Sequence, residues 1–178
     1  MPDASKRVGL GLPKDGAAIV LLGATEGHLG QSLYLREIEG REQGAPPPVS
    51  LGTERRNGDF VRTLIEAGQI TACHDLSDGG LLVALAEMAL AGDLGADITL
   101  PDGINPTGFL FGEDQARYLV VTDNPQQVVD AARDTGVPAT ALGVCRGGEI
   151  MIADLGSIAL SELREAHESW MPAYMTGP

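Results

Sequence analysis

The sequence is poor in aromatic residues and in cationic residues, and both shortages restrict what the protein can be. Its 178 residues include three Phe, three Tyr and one Trp, so a core must be built from Leu, Val, Ile and Ala. Twelve Lys and Arg residues stand against 25 Asp and Glu residues, giving a formal net charge of −13. Binding to nucleic-acid backbones depends on clustered Lys and Arg. We therefore expect no nucleic-acid partner.

Long apolar runs and cysteine-rich patterns are also missing. No run approaches the roughly 20 apolar residues that a membrane span requires, and the N-terminus lacks the basic-then-apolar pattern of a signal peptide. Cys73 and Cys145 have no metal-ligand spacing, so we expect two free, buried thiols. These absences favour a soluble, cytoplasmic protein with no membrane partner.

Several kinds of catalytic site are excluded in the same way. The sequence contains no G-x-S-x-G elbow of a serine hydrolase, no H-E-x-x-H and no paired C-x-x-C for zinc. Cys73 and His74 are neighbours on a predicted strand, so their side chains should point to opposite faces. They cannot pair as thiolate and base, which makes Cys73 a poor glutaminase nucleophile.

Strand and helix patterns interleave along the chain, which indicates an α/β or α+β fold with a mixed sheet packed by helices. A lead-in or linker is expected at 1–14 and a single domain at 15–178. The glycine loop after the first strand lacks the P-loop ending, so a turn into a helix is favoured there over a phosphate cradle. Gly147 and Gly148 predict a tight hairpin between the last two strands. Strands are predicted at 16–22, 70–74, 97–100, 117–121, 139–144 and 149–153, and helices at 29–39, 53–67, 79–92, 125–135 and 158–170, with Trp170 as a hydrophobic peg.

The stretch TACHDLSDGGLLVALAEMALAG is the centre of the sequence, because a short strand leads through a polar turn into an apolar, buried helix. Asp78 is predicted to cap that helix. Two interpretations stay open. In one, Asp75 and Asp78 hold Mg²⁺, which bridges carboxylates to substrate phosphates. In the other, these residues only build the turn. The candidate binding residues are His74, Asp75, Ser77, Asp78, Gly79 and Gly80.

A second candidate binding segment opens a later strand with the residues Glu113, Asp114, Gln115 and Arg117. A carboxylate, an amide and a guanidinium side by side suit the recognition of hydroxyl and phosphate groups. The alternative is an exposed strand start with an Arg–carboxylate pair, which contributes only about 0–1 kcal/mol to stability.

Three runs, LLGATEGHLGQSLYL, HDLSDGGL and LFGEDQARYLVV, give the chain a specific resemblance. Over residues 8–172 it resembles the C-terminal domain of the phosphoribosylformylglycinamidine synthase family. The wider superfamily includes aminoimidazole ribonucleotide synthetase, selenophosphate synthetase and thiamine-monophosphate kinase. The resemblance implies the aminoimidazole ribonucleotide synthetase C-terminal-domain fold, and it implies that the chain is the last quarter of a longer synthetase.

The resemblance also implies a function in purine biosynthesis. In the complete ligase, Mg²⁺ and ATP serve as cofactors, and ATP activates the amide oxygen of formylglycinamide ribonucleotide. Ammonia from a glutaminase subunit then displaces phosphate. The expected partners are that subunit and the other synthetase domains, and this segment, which lacks the ATP-binding domain, is expected to have no catalytic residue of its own. Its site is either catalytic or a related copy that holds a nucleotide. Alternatives are a stand-alone ligand- or partner-binding domain and the kinase or selenophosphate branch.

Overall fold

The computed structural model describes residues 4–176, and residues 1–3 of the predicted lead-in and 177–178 of the predicted domain lie outside the described residues. The strands are β1 Ala18–Leu22, β2 Ala72–Asp75, β3 Ala96–Ile98, β4 Tyr118–Thr122, β5 Ala139–Cys145, β6 Glu149–Ile152 and β7 Gly156–Ala159. The α-helices are α1 Leu51–Glu66, α2 Gly80–Gly92, α3 Pro106–Phe111, α4 Pro125–Asp134 and α5 Leu160–Thr176.

The seven strands form one mixed sheet in the order β2-β4-β1-β5-β3-β6-β7. The β3 and β6 strands pair in parallel, and the other neighbours pair antiparallel. The prediction of a mixed sheet packed by helices is therefore confirmed.

Helices cover both faces of the sheet, and the alternation of side chains along each strand divides the core in two. In β1, Ile19 and Leu21 join a first cluster with α2 and α3, whereas Val20 and Leu22 join a second cluster with α1 and α4. All five residues of β1 are buried. A strand covered on both faces reads as a continuous apolar run, which explains why β1 was recognisable in the sequence.

The α2 helix lies in the first cluster, as its apolar sequence predicts. Leu81, Leu85, Met88 and Ala89 are fully inaccessible to solvent. Burial of each large apolar side chain contributes about 1.5–3 kcal/mol to the stability of the fold. The helix that carries the polar turn is therefore a fixed element.

The predicted hairpin across Gly147 and Gly148 is wrong. The β5 and β6 strands do not pair with each other, because β3 lies between them. The turn instead wraps around the start of β3: the Arg146 N–H donates to Gly95 O and the Gly95 N–H donates to Gly147 O, both at 2.8 Å. The glycines make a turn as predicted, but the turn spans one intervening strand.

Three further predictions about local structure need correction. The expected helix at 29–39 is reduced to a short π-helix, Tyr34–Ile38. The segment 101–111, for which the sequence predicts neither helix nor strand, contains α3, whose N-cap residue is Asn105. Trp170 is 61% exposed and stacks on Tyr174 instead of anchoring the last helix. In addition, the strand β7 covers residues 156–159, whereas the sequence predicts a helix from residue 158.

The segment before β1 is attached to the domain through backbone contacts with α2 and β2. The Leu12 side chain is buried and its N–H donates to Met88 O of α2 at 3.0 Å, while Gly9 bridges to Ala72 of β2. Cys73 and Cys145 are free thiols as predicted, but only Cys145 is buried, whereas Cys73 is half-buried. Within residues 4–176, no helix is long and apolar enough to cross a membrane.

Candidate functional site

Three loop segments meet at one end of the sheet. The β1 and β2 strands both end there and β4 begins there, because β4 lies between them and runs antiparallel to both. The glycine loop 23–33 therefore lies beside the turn 76–80 and the segment 112–117. The structure thus brings the two predicted binding segments together and adds the glycine loop to them.

Glu113 joins two of these segments through one carboxylate oxygen. Its Oε1 accepts hydrogen bonds at 2.8 Å from the Gly79 N–H, at the start of α2, and from the Leu33 N–H of the glycine loop. A negative charge is favourable at a helix N-terminus, where the backbone N–H groups are unpaired. Glu113 therefore serves here as a clamp between segments.

Asp114 and Arg117 hold the glycine loop in a similar way. The Asp114 carboxylate accepts from the N–H groups of Gly27, at 3.0 Å, and His28, at 3.3 Å. The buried Arg117 guanidinium donates to Asp114 O at 3.0 Å, to Thr25 Oγ1 at 3.2 Å and to Gly112 O. Burial lowers the pKa of Arg117, while the charges of Asp114 and Glu113 oppose that shift. The group stays cationic, because an arginine is protonated at any physiological pH.

Glycine is required where the backbones of these segments touch. A Cβ placed on Gly80, whose φ is +69°, would lie 2.5 Å from Gly112 O and 2.9 Å from the Phe111 carbonyl carbon. A Cβ on Gly27 would lie 3.0 Å from the Gly108 Cα. Only glycine fits such close approach at positive φ, so Gly80 lets the start of α2 pack against the backbone of Phe111 and Gly112.

The histidine near the end of β2, just before the turn, lies close to two carboxylates. His74 Nε2 lies 2.7 Å from Glu87 Oε2 on α2, and its Nδ1 lies 3.5 Å from Asp75 Oδ1. Cys73, its neighbour on β2, packs against the second core cluster. The two side chains therefore leave opposite faces of the strand, as predicted, and they form no thiolate–base pair.

Asp78 does not cap α2, which corrects the prediction from sequence. The N-cap residue is Gly79, in the left-handed conformation, and Glu113 from a distant segment binds its N–H. Asp75, Ser77 and Asp78 are exposed at the rim of the turn. Gln115 is also exposed, and its side-chain amide donates to Glu113 O at 3.2 Å. The acidic side chains that face solvent at this turn are thus Asp75 and Asp78.

The described residues contain no group of three or more His, Cys, Asp or Glu side chains arranged to hold a metal ion. Two carboxylates are nevertheless a donor set that Mg²⁺ uses, because this ion keeps several waters and completes its shell with substrate phosphates. A magnesium ion bound by Asp75 and Asp78 would therefore also need water and a phosphate-bearing ligand to complete its coordination.

The glycine loop is the part of the site that sequence reasoning underestimated. It had been interpreted as a turn into a helix, yet its N–H groups at Gly27, His28 and Leu33 bind the carboxylates of the 112–117 segment. Its position in the chain could have indicated this role, because a glycine loop that directly follows a central strand lies at the end of the sheet. A cavity of about 270 Å³ opens beside it, lined by Thr25, Glu26, Gly27, Leu29, Ile104, Asn105, Gly108 and Phe109.

Fold and site together define a domain of the aminoimidazole ribonucleotide synthetase type. The chain matches the family model described as "AIR synthase related protein, C-terminal domain" over residues 14–154. This match covers more than half of the chain, so the chain belongs to that family.

Relatives with a named function are similar along the whole chain. The phosphoribosylformylglycinamidine synthase subunit PurL of Caulobacter vibrioides is 50% identical over 179 aligned residues, which cover 100% of this chain and 24% of that protein. The subunit of the same name from Rhodospirillum rubrum is 52% identical over 176 residues, covering 96% of this chain and again 24% of the relative. The chain therefore spans about a quarter of the length of these relatives.

Solved structures of a distant relative share the fold. Thermotoga maritima PurL complexed with FGAR superposes with a TM-score of 0.76 at 21% identity, over 90% of this chain and 30% of that one. The same protein complexed with ATP gives 0.70 at 20% identity, over 90% and 27%. The PurLQS structure from the same organism gives 0.67 at 20% identity, over 88% and 27%.

Proposed function

We propose that the chain is the C-terminal domain of a phosphoribosylformylglycinamidine synthase, the ligase that makes formylglycinamidine ribonucleotide in purine biosynthesis. The observation that carries this proposal is the identity of about 50% to PurL subunits across the whole chain. In the complete enzyme, ATP activates the amide oxygen of formylglycinamide ribonucleotide, and ammonia from a glutaminase subunit displaces phosphate. The complexes of T. maritima PurL with ATP and with FGAR, and the PurLQS assembly, support this assignment.

Within that enzyme, the role we assign to this domain is one wall of a nucleotide or substrate site. Glu113 and Asp114 hold the turn and the glycine loop in place through backbone N–H groups, and Arg117 contacts the glycine loop through Thr25 Oγ1. His74 is fixed by Glu87. These residues position the site, and the exposed Asp75, Ser77 and Asp78 are left to meet a ligand.

A cation is needed for that contact, because two carboxylates repel an approaching phosphate. Asp75 and Asp78 would hold the Mg²⁺, which supplies the positive charge that neutralises nucleotide phosphates. Ser77, between them in sequence, offers a hydroxyl that can donate to a phosphate or sugar oxygen.

The size of the native polypeptide tests the proposal first. An antibody raised against these 178 residues should detect, in source cells, a polypeptide several times larger than 18.5 kDa. That polypeptide should convert formylglycinamide ribonucleotide when ATP and ammonia are supplied. A band at 18.5 kDa would contradict the proposal and favour a stand-alone binding domain.

The role of the turn is tested in the same full-length enzyme with the variant Asp75→Asn. We expect weaker binding of Mg²⁺-ATP, by about tenfold, because one carboxylate of the donor set is lost. The matched control is Asp134→Asn, an exposed aspartate at the end of α4 on the other face of the sheet. Equal Mg²⁺-ATP affinity in the Asp75→Asn variant and the wild type, measured by calorimetry, would refute the metal role.

A further inference from the structure

The last helix extends beyond the body of the domain. Leu160, its first residue, is buried, and Leu163 packs against the first core cluster. Residues 165–176 are all exposed. About three turns of α5 therefore lie outside the core, and we call residues 165–176 the α5 tail.

The α5 tail carries a large apolar surface. Trp170, Met171, Tyr174 and Met175 are 61%, 56%, 69% and 74% exposed. They form two pairs at i, i+4 spacing, and the Trp170 and Tyr174 rings stack with centroids 5.2 Å apart. Trp170 is seven residues after Leu163, so it lies on the same side of the helix. The apolar stripe that packs on the core therefore continues along the α5 tail.

An uncovered helix of this kind is not stable by itself. Isolated helices shorter than about 12–15 residues are marginal in water, since most helical stability comes from tertiary packing. Pro172 weakens the tail further, because it lacks the N–H of an interior helical residue. Contiguous exposed apolar surface of this type is typical of an interaction site.

We infer that the α5 tail docks against another domain of the longer synthetase chain, an inference that rests on the function proposed above. The chain spans only 24% of its relatives, so most of the protein surface available to this tail lies in the remaining three quarters. A second copy is disfavoured by electrostatics, because each copy carries a net charge of −13. The docking surface should be an apolar groove with Lys or Arg at its rim, to complement Glu165 of the α5 tail, since Glu168 is already paired with Arg164 at 3.0 Å.

Hydrogen exchange followed by mass spectrometry tests this inference in the full-length synthetase and in the 178-residue chain. In the short chain, amides of 165–176 should exchange rapidly. In the full-length enzyme we expect their exchange to be slower by at least about 100-fold, because local opening must first break the docked contact. The matched control segment is α4, which packs on its own domain and should be equally protected in both proteins.

Variants separate docking from a general loss of structure. Trp170→Ser with Tyr174→Ser, in the full-length enzyme, should return the tail to the exchange rates of the short chain and leave α4 protected. The control Val49→Ser with Leu51→Ser changes two other exposed apolar residues, 63% and 80% exposed, and should have no effect on the tail.

The possible outcomes distinguish the two proposals. A full-length enzyme that makes formylglycinamidine ribonucleotide but exchanges its tail amides as rapidly as the short chain would overturn the docking inference alone. Tail protection that appears in the short chain as its concentration is raised, together with a dimeric mass in light scattering, would overturn it in favour of a second copy. A full-length protein without the ligase activity would contradict the proposed function, whatever the exchange rates.

Discussion

Replacement of Glu113 by Ala should destabilise the domain, because this half-buried carboxylate joins the turn to the glycine loop. Its Oε1 accepts two hydrogen bonds of 2.8 Å, from the Gly79 and Leu33 N–H groups. Hydrogen bonds to a charged group contribute about 1.5–3 kcal/mol each when buried. Because Glu113 is only half-buried, we expect Glu113→Ala to lower the free energy of unfolding by about 3 kcal/mol in total. Glu113→Gln keeps an acceptor oxygen and loses the charge beside the helix start, so its cost should be about 1 kcal/mol.

Urea unfolding followed by far-UV circular dichroism measures these differences. A loss of 3 kcal/mol corresponds to a fall in melting temperature of roughly 6–12 °C for a domain of this size. Glu165→Ala, which removes an exposed glutamate of α5, is the control and should change the free energy by less than about 0.5 kcal/mol. If Glu113→Ala unfolds at the same urea concentration as Glu165→Ala, Glu113 does not clamp the two segments.

Two further predictions concern close packing and a half-buried thiol. Gly80→Ala should cost more than about 2 kcal/mol, because the new Cβ would meet Gly112 O at a backbone φ of +69°; Gly148→Ala, with no atom within 4 Å of the added Cβ, is the control in the same unfolding assay. Desolvation, with the charge of Asp75 adding to it, raises the pKa of Cys73 from 9.0 to about 11. The unfolded chain therefore loses this proton at lower pH than the folded one, so the free energy of unfolding should fall from pH 9 to pH 11. Cys73→Ala should reduce that fall. An equal fall in the variant and the wild type would contradict the assigned pKa.

The elements predicted best from sequence are those whose pattern is set by local burial. The α1 helix was expected at 53–67 and spans Leu51–Glu66, and α4 was expected at 125–135 and spans Pro125–Asp134. Each helix has an apolar stripe at helical spacing, and a glycine follows its C-terminal end. The β1 strand was found for a related reason, since burial on both faces requires an unbroken apolar run.

The features that sequence reasoning missed depend on contacts between distant segments. Gly147 and Gly148 signal a turn, but no local pattern shows that β3 has inserted between β5 and β6. The cap of α2 is another example. An aspartate at position 78 satisfies the local rule for an N-cap, yet the Gly79 N–H binds Glu113, which lies 34 residues further along the chain. Helix caps supplied by a distant side chain cannot be inferred from local sequence.

The two predicted binding segments lie side by side in the structure, but the sequence does not divide their residues into those that hold the loops and those free to bind a ligand. Glu113, Asp114 and Arg117 looked like a ligand-binding set because carboxylates and a guanidinium suit hydroxyl and phosphate groups. In the structure the two carboxylates accept from backbone N–H groups of the glycine loop and the α2 start. The Arg117 guanidinium donates to Asp114 O and Gly112 O of its own segment and to Thr25 Oγ1 of the glycine loop. A carboxylate or a guanidinium can bind either a ligand or another segment of the same chain. Which of the two it binds depends on whether another segment lies within 3 Å of it, and that is a property of the fold.

This division of roles determines how the site can bind a phosphate-bearing ligand. The Glu113 carboxylate already lies at the positive end of the α2 dipole. The buried Arg117 guanidinium donates to Asp114 O, Thr25 Oγ1 and Gly112 O. Exposed Asp75 and Asp78 add negative charge to a chain whose net charge is −13. The three segments therefore offer a phosphate no free cationic side chain, and Arg36, which lies within reach of the Asp78 charge, is paired with Glu37 at 2.7 Å. Ligand binding at this turn should accordingly depend on Mg²⁺, and metal-independent binding of ATP to the turn would show that another surface of the enzyme holds the phosphates.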